Sequence, residues 1–276
     1  MLRKYGIIFI FWANVGLAQV SVSIAEYRPF PEKIELLGIE PTKVGWFIAN
    51  NLLLLDVNHS ELIELSSFGD VTLSGGFNQR SSSFNELIWM GLSPNGIQVV
   101  DRLENKIITL DYHLNSMGES KLNRHIFPEL GALDSWGRLF LYSRTYNVIF
   151  SVEQKRLIET PFIDLTKEFG KSACLKDLEV NQDGELAFLD CDGTVHIFNR
   201  LGQVQLYYPS KIDNAEFLVP VRQRWFVFNT QGEGRSIKTN ETVTIPVASL
   251  PVVDIASLNR SLAILSNDHI LILDVK

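Results

Sequence analysis

Six blocks of six residues align along this chain without a gap: 45–50, 96–101, 138–143, 185–190, 224–229 and 261–266. Each opens on Gly or a polar residue (Gly45, Gly96, Arg138, Glu185, Arg224, Ser261). Four mostly apolar residues follow, and the block closes on Asn50, Asp101, Ser143, Asp190, Asn229 or Ser266. Recurrence at about 40 residues marks a repeat architecture, in which each unit buries its apolar face only by stacking on its neighbours. This pattern constrains the fold more than any other feature of the 276 residues.

The blocks are rich in Val, Ile, Leu, Phe and Trp, short, and bounded by turn residues, so each predicts a strand. A shorter apolar piece precedes each block, at 37–39, 90–92, 130–132, 178–180, 218–220 and 255–257. Turn sequences such as Ser93-Pro94-Asn95-Gly96 and Asn181-Gln182-Asp183-Gly184 lie between piece and block. Glycine there accepts the positive φ of tight hairpins. A third apolar run follows most blocks, and usually a fourth, more polar one. Four antiparallel strands repeated about a centre predict an all-β, six-bladed β-propeller. Residues 66–83, rich in Ser and Gly, read as a long loop of the first repeat.

The last repeat ends at Lys276 after its third strand. An open ring would leave sheet edges unpaired, which invites aggregation. The alternating segment Val20-Ser21-Val22-Ser23-Ile24 is therefore expected to close the ring by pairing with residues 270–273.

Residues 87–119 resemble an NHL-type repeat, through Gly91-Leu92-Ser93-Pro94-Asn95-Gly96 and Asn105-Lys106-Ile107-Ile108-Thr109-Leu110-Asp111. Asp177-Leu178-Glu179-Val180 with its Asn181 to Gly184 turn resembles the same strand entry. By periodicity, the chain is similar to six-bladed NHL/TolB-like propellers as a class. That class hosts many functions, so the resemblance implies a fold rather than a chemistry.

Arg3 and Lys4, an apolar stretch from Ile7 to Leu17 and the small residues Gly16 and Ala18 read as a signal peptide over 1–18. The remainder, 19–276, reads as one propeller domain, exported to the periplasm or outside the cell. The stretch is too short for a transmembrane anchor. No later segment is long and apolar enough to span a membrane. A net charge of -7 with scattered Lys and Arg argues against a nucleic-acid partner. Cys174 and Cys191 lie across a predicted hairpin within one residue of register. In an oxidising compartment they are a disulfide candidate, with two reduced thiols as the alternative.

In a propeller the innermost strand starts on the face where the second strand ends. That mouth face is expected to gather the block-closing residues and those before the inner strands, Glu129, Asp177 and Asp254 among them. These three acids are candidate ligands for a hard cation such as Ca²⁺. Propeller lactonases and phosphotriesterases, which this fold resembles, hold a metal in such a mouth. Alternatively, the acids accept backbone N–H groups from a neighbouring blade. The turns of the same face carry Asp101, Arg102, Arg144, Tyr146 and Asp192, and the 66–83 loop adds Phe77 and Arg80. Arg, Tyr and Phe on turns of a rigid scaffold suit a protein or peptide partner. The five histidines show no metal spacing, and there is no Gly-x-Ser-x-Gly elbow, phosphate loop or CxxC. The expectation is a binding or scaffold module, with a metal-dependent propeller hydrolase or lyase as the alternative.

Overall fold

The computed structural model describes residues 19–74 and 84–276. The expected signal peptide, Phe77 and Arg80 lie outside the described residues. The chain enters through β1 (Val22–Pro29) and a short helix, α1 (Glu32–Leu36). Blade 1 follows as β2 (Lys43–Trp46), β3 (Leu52–Asp56), β4 (Glu61–Leu65) and β5 (Val71–Leu73). Blade 2 is β6 (Leu87–Ser93), β7 (Gly96–Asp101), β8 (Lys106–Leu110) and β9 (Ser116–Lys121). Blade 3 is β10 (Leu130–Leu133), β11 (Leu139–Ser143) and β12 (Val148–Glu153), with its outer strand broken into β13 (Arg156–Leu157) and β14 (Ile163–Asp164). A second helix, α2 (Leu165–Phe169), leads to blade 4: β15 (Leu175–Val180), β16 (Leu186–Asp190), β17 (Thr194–Phe198) and β18 (Val204–Pro209). Blade 5 is β19 (Ala215–Val221), β20 (Arg224–Asn229), β21 (Glu233–Ser236) and β22 (Thr242–Thr244). Blade 6 has β23 (Asp254–Leu258), β24 (Ser261–Leu265) and β25 (His269–Val275), and β1 supplies its fourth strand.

The core is a set of layers. Six apolar clusters form, one between each pair of neighbouring blades. A middle strand is therefore covered on both faces, so its side chains are apolar on both rather than alternating. Leu52 to Leu55 and Leu139 to Tyr142 show this, with every residue buried.

Ring closure follows the expected pairing and extends it. β1 runs antiparallel to β25 from Val22 opposite Val275 to Pro29 opposite His269. Arg28 near its end is buried, and its Nη1 donates to Asn50 O at 2.8 Å, tying the closing strand to blade 1.

Blade 1 departs from the expected register. The block 45–50 is not a second strand. Its first residues belong to the innermost strand β2, and Ile48–Asn50 form a 3-10 turn with positive φ at Ala49 and Asn50. The second strand is β3, so Asp56 and not Asn50 closes it. The piece 37–39 forms the turn after α1, where Gly38 has φ +65°.

The sulfurs of Cys174 and Cys191 are bonded, with Cα atoms 5.4 Å apart. Val180 faces Leu186, but a bulge between Leu175 and Asp177 shifts the pairing so that Leu175 faces Asp190. The shift brings the cysteines opposite one another, and Cys191 N donates to Cys174 O at 2.9 Å. Among the described residues no helix is long and apolar enough to cross a membrane.

Candidate functional site

The residues that close the second strands converge on one face, as internal clamps. Asp101 is fully buried. Its Oδ2 accepts from Asn85 N at 2.8 Å and its Oδ1 from Glu104 N at 3.0 Å. One bond holds the chain entering the blade, and the other caps the turn into β8. Asp56 does the same with Glu40 N and His59 N, at 2.8 and 3.0 Å. The carboxylate expected at Asp101 as a ligand contact is thus spent inside the fold.

A second clamp ends the same turns. Asn105, with φ 51°, donates from Nδ2 to Leu122 O and Arg124 O and accepts from Ile126 N. Asn147, with φ 54°, holds Thr166, Lys171 and Ala173 in the same manner. The connections between blades 2, 3 and 4 are therefore anchored to their blades.

The expected cation site takes a different form. Asp177 and Asp254 do line the mouth end of the central channel, with Glu179 and Lys43. Glu129 is absent from that lining; its charge acts on Arg102 and Tyr142 at blades 2 and 3. Asp254 Oδ1 receives Lys43 Nζ at 3.1 Å, and its Oδ2 receives Val44 N at 2.8 Å, joining blade 6 to blade 1. Asp177 accepts Leu178 N at 2.9 Å and, across to blade 5, Leu218 N at 2.7 Å. The acids serve backbone N–H groups, and Lys43 supplies the positive charge a metal would have brought. No group of three or more His, Cys, Asp or Glu among the described residues is placed to hold a metal ion.

Charge in the channel is uneven. The Asp254 carboxylate holds the Lys43 ammonium above its usual range, against the effect of burial. Enclosure by the channel walls pushes Asp177 up to about 6, although Lys43 and two backbone N–H groups oppose the shift. Glu179 is pushed well above the carboxylate range, first by enclosure and then by the charges of Asp177 and Asp254. The cavity among these groups measures about 90 Å³, room for a few waters. Trp89 narrows it. A Cβ on Gly131 would lie 2.7 Å from the indole, and one on Gly91 2.4 Å, so only glycine at both positions lets the ring fold inward.

Blades 2 and 3 carry the exposed part of the face. Arg102 pairs with Glu86, its Nε donating to Oε2 at 2.8 Å and its Nη2 to Oε1. The Arg124 guanidinium lies 4.0 Å above the Tyr146 ring, a cation–π arrangement. Tyr146 in turn meets Phe150 edge-on at 6.2 Å. His125 and Phe127 pack edge-to-face at 4.0 Å. Leu103, Phe127 and Tyr146 remain 60%, 45% and 38% exposed. Arg144 is exposed in the turn between β11 and β12, and Asp192, in the turn after β16, faces Lys171 at 3.8 Å. Arg102, Arg144 and Tyr146 thus share one face with Arg124 and Phe127. These last two lie on an irregular connection that carries no strand periodicity.

The fold defines a six-bladed β-propeller whose channel is narrowed by its own side chains and whose mouth-face turns on blades 2 and 3 carry exposed apolar groups. No family model matches the chain, and no curated protein matches it by sequence. Solved structures match it by shape. Inactive virginiamycin B lyase from Staphylococcus aureus, solved with quinupristin, superposes with a TM-score of 0.62 at 10% identity, over 94% of this chain and 100% of that one. YCF48 bound to D1 peptide gives 0.59 at 10% identity, over 95% and 100%. A chain of the mitotic checkpoint complex gives 0.59 at 11% identity, over 100% and 98%. At these identities the likeness is of fold alone.

Proposed function

We propose that this chain is an exported binding module that docks a protein or peptide on the mouth face of blades 2 and 3. The observation that carries the reading is the exposed set Leu103, Phe127 and Tyr146 beside Arg124. Aromatic side chains and arginine concentrate binding energy in protein interfaces, and the clamped connections present them on a stiff support. Export is supported by the leader-like residues 1–18 and by the disulfide, which suits an oxidising compartment. Two of the matched propellers are described with a peptide or within a protein complex, which is compatible with this use. The test is selection of displayed random peptides on immobilised protein, repeated with an F127A/R124A/Y146A variant. The variant should retain its melting temperature and lose selected peptides by at least about thirtyfold, the scale of one hot spot. Selected peptides that bind the variant as tightly as the parent would remove the proposed face.

A further inference from the structure

Blade 4 holds a cavity of about 410 Å³ on the same face, separate from the exposed residues of blades 2 and 3. Its walls include Phe169, Phe188, Ala173, His196, Asp190 and the disulfide. This volume lies in the range of small-molecule pockets; most of the exposed wall is apolar, with Lys171, Ser172 and Asp192 lining it beside Asp190 and His196.

One of those polar groups is unusually well held. The His196 ring stacks on Phe188 with centroids 4.8 Å apart and meets the edge of Phe169 at 4.7 Å. His196 Nε2 lies 2.8 Å from Asp190 Oδ2, and Thr194 N donates to Asp190 Oδ1 at 2.8 Å. Burial alone would raise the Asp190 carboxyl, but the hydrogen bonds from His196, Thr194 and Asp192 outweigh it and hold the group below its usual range. An ionised carboxylate only accepts, so in the neutral ring Nε2 carries the hydrogen and Nδ1 is an acceptor. No described residue hydrogen-bonds to Nδ1.

The walls are set before any ligand arrives. Asn147 fastens the strap that carries Phe169, through Thr166 Oγ1 at 2.7 Å, Lys171 O at 3.2 Å and Ala173 N at 2.8 Å. The disulfide ties the end of that strap to the turn after β16.

We propose that this cavity binds a phenolic ring, packed against Phe169 with its hydroxyl donating to His196 Nδ1. Aromatic rings gain from edge and offset contacts beyond the area they bury, and the ligand hydroxyl gives His196 Nδ1 a partner. The ring chemistry is common to a tyrosine side chain of a peptide and to a free phenolic compound.

The test is a titration of the full chain with p-cresol and with toluene, followed by NMR of the aromatic side chains. Saturable shifts of His196 and Phe188 are expected with p-cresol, and toluene should bind at least about fivefold more weakly for want of the hydrogen bond. Phe169→Ala should weaken p-cresol by about tenfold, and the loss of its contacts with Phe188 and His196 should lower the melting temperature while leaving the chain folded at 25 °C. His196→Phe, where it folds, should abolish the preference for p-cresol. Non-saturating shifts, shifts away from blade 4 or equal binding of toluene would overturn the proposal. An acetyl-Gly-Tyr-Gly-amide arm separates the sources: tighter binding than p-cresol assigns the site to a peptide tyrosine, and weaker binding to a free phenol. None of these readouts depends on Phe127, Arg124 or Tyr146, so this site and the docking face of blades 2 and 3 stand or fall separately.

Discussion

Replacing Asp177 by asparagine should make the protein less sensitive to neutral pH. In the unfolded chain this carboxyl ionises near its ordinary value of 3.8, and in the channel it ionises at about 6. Between those values the native state holds more protons, so stability falls as pH rises. A shift of roughly two units, at 1.36 kcal/mol each, amounts to about 3 kcal/mol. From pH 4 upward about 2–3 kcal/mol of it remains, because ionisation of the unfolded chain is already under way at pH 4. Channel water sets this as an upper figure, since Lys43 keeps 41% of its side-chain surface exposed. The amide of the Asp177→Asn variant does not titrate, and removing the Asp177 charge also eases the ionisation of Glu179. Urea unfolding of both proteins at pH 4, 5, 6 and 7.5 gives a difference curve. The advantage of the variant should grow with pH, most steeply between pH 4 and 6. A constant offset from the altered bonds to Leu178 and Leu218 does not affect that slope. A flat curve would refute the reasoning. So would one in which the parent gains with pH, because the ionised carboxylate would then be the form the fold favours.

Two further outcomes follow from the closures of the chain. The disulfide spans a separation of 17 residues, for which loop entropy predicts about 3 kcal/mol of stabilisation. Cys174→Ala with Cys191→Ala should lower the unfolding free energy by about that amount in denaturant titration, and an unchanged midpoint would contradict it. Deleting residues 19–29 removes β1, uncovers the β25 edge and takes Val20 out of the layer between blades 5 and 6. Size-exclusion chromatography should show aggregation and calorimetry no cooperative transition; a monomer melting like the parent would show that closure is dispensable.

The second strands of blades 2 to 6 were readable because their burial is two-sided. A strand packed between blades is a continuous apolar run that ends where its polar clamp begins, as at Val99, Val100 and Asp101. Blade 1 defeats the same rule. Residues 45–50 imitate the pattern, yet Ala49 and Asn50 adopt positive φ and turn the chain, which composition does not reveal. Lys43, the first residue of β2, lies outside every run the periodicity marks, because in blade 1 the pattern is one strand out of step. Glu179 had a usable signal: it follows Asp177 by two on one strand, and residues two apart share a face. The rest of the face is tertiary. Arg124 reaches Tyr146 only because Asn105 holds an irregular connection, and His196 gains its setting from Phe169 on a strap that enters from blade 3.

The clamps also decide where a ligand has room. A cation in the mouth of the channel would compete with Lys43 for Asp254 and with the backbone N–H groups that Asp177 and Asp254 accept from neighbouring blades. Any of those N–H groups that lost its partner while buried would cost about 1–3 kcal/mol. The same bonds that stiffen the ring thus narrow this end of the channel, to a cavity of about 90 Å³ beside Trp89, and a second cavity of about 260 Å³ shares Trp89 and Glu179 with it. On blade 4 the acid that closes the second strand binds a histidine ring as well as the backbone, and the cavity there is about 410 Å³. The closing residues therefore do two jobs: those of blades 2 and 3 bond only backbone and stiffen the turns that present the exposed face, whereas Asp190 also orients a ring that lines a cavity.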